Sequence, residues 1–406
     1  MSRIRRRRSG TAATWAAVGL CAMTAVACGG DDTAVPAYST TQPAASDEAV
    51  AARGTIVTST TDTDFDVAAF PAGTSAATFV YRSISGVTGE STDVSGALFV
   101  PSGDAPPGGR PVVAYAHGTV GIEPGCAPTE TSQLSGDAGA VSLFLDRGYA
   151  VAYTDYQGLS SQTDAPPHPY LEPRTAAFDV IDSVRAARTL DPTLSTRWLA
   201  VGSSQGGHAA WAANEYNPAY GDGLDLVGAA VLAPALDVSP VVDKAQTSTL
   251  SGGQRAIYPM IVEGASAVDP GIDPADHLHG VLGEKAEALI SCGPASAPAK
   301  SAAAADPQPG DTTASSTSAA QQLTSRLQQY ALPGAASPAP ILAVYGGADD
   351  IVLPQWTEVA LGRACGFGDT VLRVRLEGQG HSVDPGSLLE TWIADRFTGL
   401  PAPSNC

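Results

Sequence analysis

The stretch Val201-Gly202-Ser203-Ser204-Gln205-Gly206-Gly207-His208-Ala209-Ala210 limits the fold more than any other in the 406 residues. An apolar run, Trp198 to Val201, leads into it, and a helix-compatible run, His208 to Glu215, leads out. Residues without side chains at a sharp strand-to-helix turn let the two elements approach, and they leave the serine between them exposed at the tip. Only Ser204 has glycine two positions away on both sides, at Gly202 and Gly206; Ser203 is flanked by Val201 and Gln205. Alone, such a match is weak in a chain with 43 glycines. The strand before it and the helix after it give it weight.

The rest of the chain supplies a sheet for that turn to cap. Strands are expected at about Thr78 to Ile84, Val94 to Val100, Pro111 to Ala116, Tyr149 to Thr154, Trp198 to Gly202, Val227 to Ala233, Ile341 to Tyr345 and Val371 to Leu376. The later ones are short continuous apolar runs, as expected of strands covered on both faces. Between them, Arg174 to Leu190 carries an apolar stripe of Ala177, Val180, Ile181, Val184 and Ala187 and stops at Asp191-Pro192. Alternation of this kind implies an α/β chain with a doubly wound, mostly parallel sheet. It fails between Leu236 and Pro340, where Val281 to Ile290 looks helical and Pro294 to Ala320 is low in complexity. A structureless loop of that length is improbable inside a domain. A helical cap at 236–338, ending in a mobile segment, is therefore expected between sheet regions 54–235 and 339–406.

A serine hydroxyl is a poor nucleophile near neutral pH and needs a base. At a turn of this type the partners follow in the order serine, acid, histidine. Of the six histidines, His117 and His168 precede Ser204, His208 lies one helical turn beyond it, and His277 and His279 fall in the cap. His381, just after the last strand in Glu377-Gly378-Gln379-Gly380-His381-Ser382, is the expected base. The acid should follow the strand ending in Tyr345, where Gly346-Gly347-Ala348-Asp349-Asp350 offers two aspartates. Asp349 is preferred, since glycines before it allow the turn, and its task is to orient the imidazole. Charge developing on a carbonyl oxygen needs backbone donors. Gln205 N–H, at a helix start, and Thr119 N–H, in the loop after Val112 to Ala116, are assigned that role, ahead of Gly118.

The N-terminus is a separate matter. Five arginines among the first eight residues precede a charge-free, alanine-rich run from Thr11 to Ala27, the outline of a signal peptide over 1–27. Ala25-Val26-Ala27-Cys28 can be a signal peptidase site, or it resembles a bacterial lipobox with Cys28 acylated. Removing Cys21 with the leader and Cys28 as an anchor leaves Cys126, Cys292, Cys365 and Cys406, an even set for an oxidising compartment. An exported chain held at the outer face of the membrane by Cys28 is expected, with a flexible tether over 28–53. The 22 basic and 41 acidic residues, net charge −19, exclude nucleic acid as a partner. No metal-ligand spacing and no phosphate or dinucleotide glycine pattern occurs, so no cofactor and no metal are expected.

Six motifs come in one order: AHGTVG with CAP shortly after (Ala116 to Pro128), YTDYQGL (Tyr153 to Leu159), PHPYL (Pro167 to Leu171), GSSQGGHAA, YGGADDIV and GQGHS. In them the chain resembles the secretory lipase family of the α/β-hydrolase fold from about residue 75 onward. The resemblance implies hydrolysis of acyl esters, often of glycerol, with Ser204, Asp349 and His381 as the triad beneath a cap. It also implies the disulfides Cys126–Cys292 and Cys365–Cys406, where arithmetic alone permits three connectivities. His117, Gly118, Tyr156 and Tyr170 lie within matched motifs, as pocket-lining residues or as structural ones. The long Ala/Ser/Pro run in the cap departs from the family's pattern. A short-chain esterase, an acyltransferase, a serine peptidase and a non-catalytic binding protein stay open as alternatives, as does the oligomeric state.

Overall fold

Eight of the strands lie where the apolar runs put them, and together with a ninth they form one sheet. The computed structural model describes residues 43–406 except 295, 306, 307 and 309. The expected signal peptide and Cys28 lie outside the described residues. In chain order the elements are α1 (Asp47–Ala52), β1 (Ile56–Thr60), β2 (Ser75–Ile84), β3 (Ser91–Val100), β4 (Arg110–Ala116), α2 (Ala138–Leu145) and β5 (Ala150–Thr154). Then follow α3 (Pro173–Leu190), β6 (Leu194–Ser203), α4 (Gln205–Tyr220) and β7 (Asp225–Leu232). After α5 (Val241–Gln246), α6 (Gly252–Val268), α7 (Gly280–Glu284), α8 (Ala286–Ile290), α9 (Ala297–Ala305) and α10 (Thr317–Tyr330), the chain re-enters the sheet. It ends with β8 (Ile341–Gly346), α11 (Pro354–Phe367), β9 (Val371–Leu376) and α12 (Ser387–Thr398).

The strand order is β1-β2-β3-β5-β4-β6-β7-β8-β9. Pairings from β5 through β4 to β9 are parallel, and those joining β1, β2, β3 and β5 are antiparallel. Strand side chains alternate between the two faces. On β4, β6 and β8, Val112, Ala114, Trp198, Ala200, Ile341 and Ala343 share one core with residues of α3, α4 and α11. Val113, Tyr115, Leu199, Val201, Leu342 and Val344 face the other side, against α2 and α12. Covering on both faces is why these strands read as unbroken apolar runs rather than as alternating ones.

The structure adds detail at three places. The tether does not extend to residue 53, because Asp47–Ala52 is helical, capped by the Ser46 side chain, with Ala49 buried. The run Val281 to Ile290 is helical as expected, in two short helices that meet at Lys285. The stretch expected to be mobile contains α9, and α10 begins within it at Thr317; α10 buries Leu323, Leu327 and Tyr330 at helical spacing.

The helices between β7 and β8 have a core of their own, and that core reaches the sheet domain. Val241, Tyr258, Ile261, Leu323 and Leu327 pack with Ile122, Tyr170, Leu171 and Val352 from loops beyond the strand ends. Cys126–Cys292 bonds the loop after β4 to the segment that follows α8, midway through this helical region, and the Ile122 N–H donates to the Ile290 carbonyl at 2.8 Å. At the far edge of the sheet, Cys365–Cys406 ties the segment after α12 to α11, and hydrogen bonds lay that segment along β9. There the Asn405 N–H donates to the Val371 carbonyl at 3.0 Å and the Arg373 N–H to Asn405 Oδ1 at 2.8 Å. These bonds occupy part of an edge that would otherwise be open to another strand. Both bridges have the implied pairing, and a disulfide of this kind contributes about 2 to 5 kcal/mol.

Candidate active site

Four loops bring the candidate residues together, and each leaves the carboxyl end of a parallel strand, the usual place for a site in such sheets. Thr119 follows β4, Ser204 follows β6, Asp349 follows β8 and His381 follows β9.

Ser204 stands between β6 and α4 with φ 56° and ψ −116°. A non-glycine residue in that region is strained by roughly 1 to 3 kcal/mol and persists only where its surroundings hold it. Here three backbone bonds do so. The Ser204 N–H donates to the Leu232 carbonyl at 2.8 Å, and the Ser204 carbonyl accepts from His208 N–H at 3.0 Å and Ala235 N–H at 3.1 Å. Close approach also explains Gly206, where a Cβ would stand 1.9 Å from the Ala116 carbonyl oxygen.

The Ser204 hydroxyl donates to His381 Nε2 at 2.8 Å. On the other side of the ring, His381 Nδ1–H donates to Asp349 Oδ2 at 2.8 Å. A carboxylate only accepts, so the proton sits on Nδ1 and Nε2 is left to take one from the serine. Asp349 is fixed in turn, since its Oδ1 accepts the N–H groups of Ile351 at 2.9 Å and Val352 at 3.0 Å. Its side chain is 2% exposed and that of His381 is 20%, so the carboxylate is sheltered while the imidazole reaches the surface. Asp350 is exposed. A hydroxyl, a base and a buried orienting carboxylate in this order can support nucleophilic attack on an acyl carbon.

The other histidines are occupied elsewhere. His208 Nε2–H donates to the Tyr330 carbonyl at 3.1 Å, inside the packing of α4 rather than toward Ser204. Burial lowers its pKa to about 4. His279 Nε2–H donates to the Thr313 carbonyl at 3.0 Å. Among the described residues no group of three or more His, Cys, Asp or Glu side chains could hold a metal ion.

Among the described residues, neither the Gln205 N–H nor the Thr119 N–H has a hydrogen-bond acceptor within the protein. Gln205 is the first residue of α4, where a free amide and the helix dipole both favour negative charge. The expected pocket residues have other partners. His117 is wholly buried, with Nδ1–H donating to the Gly118 carbonyl at 2.7 Å and its ring stacked on Tyr153. Tyr156, also buried, donates its hydroxyl to the His117 carbonyl at 3.0 Å. The Tyr170 hydroxyl lies 2.7 Å from Thr119 Oγ1, and burial raises its pKa to about 12. The His117 and Tyr156 rings pack together, 4.4 Å between centroids, behind the loop that carries Thr119.

Asp155 has a part that the sequence did not indicate. Its carboxylate, fully buried, accepts from the Ser95 hydroxyl at 2.6 Å and from the Thr129 N–H at 3.0 Å. Burial pushes its pKa up, against the pull of those hydrogen bonds. An aspartate at the end of an apolar strand, as in Tyr153-Thr154-Asp155, was the available signal. Three successive donors, the N–H groups of Gly125, Cys126 and Ala127, converge on the Leu159 carbonyl at 2.8 to 3.0 Å. The loop carrying Thr119 is thus held from the sheet and, through its disulfide, from the helical insertion.

Residues 125–405 match the secretory lipase family. Lipase 7 of Candida albicans is 30% identical over 128 residues, covering 30% of this chain and 28% of that protein; the chain thus matches little more than a quarter of that relative's length. The ligand-bound rice cell wall degrading esterase LipA from Xanthomonas oryzae superposes with a TM-score of 0.65 at 22% identity, covering 81% of this chain and 92% of that one. Candida antarctica lipase A in its closed state gives 0.68 at 17% identity, with 87% and 86% covered. These two structures establish the architecture, an α/β-hydrolase fold.

Proposed function

Since this chain belongs to the secretory lipase family, we propose that it is a serine carboxylic ester hydrolase acting on acyl glycerol or related lipid esters. The observation that carries this is the continuous hydrogen-bonded line from Ser204 through His381 to Asp349. Ser204 attacks the acyl carbon while His381 takes its proton and then passes it to the leaving alcohol. The acyl-enzyme is cleaved when His381 activates water for the reverse sequence. Asp349 keeps the imidazole in its tautomer and stabilises the cation. Gln205 and Thr119 N–H groups hold the oxyanion, and losing one such donor typically lowers the rate on the order of 10²- to 10³-fold.

The two disulfides fit a compartment outside the cytoplasm. Cys28 is the membrane anchor in this account, since the four cysteines beyond it are all paired. A mature N-terminal peptide whose mass carries the lipid on Cys28 agrees with that placement. Unmodified Cys28, or a mature start beyond it, overturns it.

Substrate class is tested with p-nitrophenyl esters from acetate to palmitate. A helical insertion whose apolar core adjoins the site loops is suited to sheltering an acyl chain, so turnover is expected to rise with chain length. Preference for acetate would make the enzyme a short-chain esterase. Absence of turnover with every ester would overturn the hydrolase assignment.

A further inference from the structure

Two stretches singled out in the sequence, Tyr153 to Leu159 and Pro167 to Leu171, supply none of the three side chains in the Ser204 line. Yet their polar atoms meet behind the two backbone donors. Gln205, whose N–H is one donor, gives its side-chain Nε2–H to His168 Nε2 at 2.9 Å. The other ring nitrogen, Nδ1–H, donates to the Gln157 carbonyl at 2.9 Å. A carbonyl only accepts, so the proton is on Nδ1 and Nε2 is the acceptor Gln205 needs. Burial lowers the His168 pKa to about 4, which keeps the ring neutral in that role. Gln157 is itself anchored, its N–H donating to Asp179 Oδ2 at 2.9 Å. Gly158 lets the two stretches touch: it has φ +82°, and a Cβ there would stand 2.5 Å from the His168 backbone nitrogen.

A cavity of about 10 Å³ adjoins Gln205, lined also by Tyr156, His168, Asp179 and His208. Its Oε1 is buried without a hydrogen-bond partner. Among the described residues, the bond to His168 is therefore the one hydrogen bond of the Gln205 side chain, at the first residue of α4.

We propose that His168 is a positioning residue of the oxyanion site, holding Gln205 so that its backbone N–H meets the reacting oxygen. This rests on Ser204 being the nucleophile. Tyr170 serves Thr119 in the same way across the site, so both donors are set from one segment of chain.

The test compares His168→Phe and His168→Gln with the parent enzyme, each with active sites counted by endpoint labelling with a fluorophosphonate. Phenylalanine fills the space without an acceptor; glutamine places an oxygen near the position of Nε2. Per labelled site, His168→Phe is expected to lower kcat about 10- to 100-fold with KM within about twofold, and His168→Gln to recover most of that loss. Equal kcat per labelled site in all three proteins overturns the proposal, as does a glutamine variant no better than phenylalanine. If the parent enzyme takes no label, the assignment of Ser204 fails as well, and that outcome is distinct from a fully labelled parent with indifferent variants.

Discussion

Replacing Ser204 with alanine is expected to lower kcat/KM for a p-nitrophenyl ester by about 10⁶-fold, the scale on which serine hydrolases lose activity without their nucleophile. The protein should stay folded. Alanine removes the single bond to His381 Nε2 and leaves intact the three backbone bonds that hold the turn. Its methyl occupies the place of the serine Cβ, so strain at φ 56° is no greater than before. Whatever activity survives comes from the backbone donors and from binding, which do not depend on the hydroxyl. Initial rates measured beside the melting curve of each protein check this. A folded alanine variant that retains more than about a hundredth of the activity is incompatible with attack by Ser204.

Asp349→Asn is the second large effect, an expected loss of about 10⁴-fold in kcat. The reason is the tautomer rather than the loss of shape. Asp349 Oδ1 is already committed to the Ile351 and Val352 N–H groups. In the amide, the oxygen would keep those two bonds and the NH₂ would face His381 Nδ1. The ring proton would then move to Nε2, the nitrogen that must accept from Ser204. Asp350→Asn is the control: Asp350 is exposed, and an exposed change of this kind leaves rate and stability nearly as they were. Steady-state kinetics on both variants separate the two aspartates. Equal losses from both would remove Asp349 from its place beside His381.

Much of this was legible because it is local in sequence. The turn at Ser204 is announced by glycine spacing between a strand and a helix, and His381 by its place after the last strand. Continuous apolar runs marked the strands that helices cover on both faces. What was not legible depends on contacts across the chain. β1 has one half-buried residue, Ile56, and four exposed ones, so an edge strand held by pairing alone leaves no apolar pattern to find. α1 is six residues long, and its order comes from the buried Ala49 and the Ser46 cap. Composition hid α9, because alanine and serine make both helices and loose chain. His168 was set aside as a base because it precedes Ser204. Its bond to Gln205 spans 37 residues and serves a donor that is itself backbone, for which no residue type can signal.

One measurement goes to the centre of the account: stoichiometric reaction with a fluorophosphonate, with the modified residue located by peptide mass spectrometry. One adduct per chain, on Ser204, lost in both Ser204→Ala and His381→Ala, is the predicted result. An adduct on Ser203 or any other residue, or no adduct on a folded and intact chain, would contradict it.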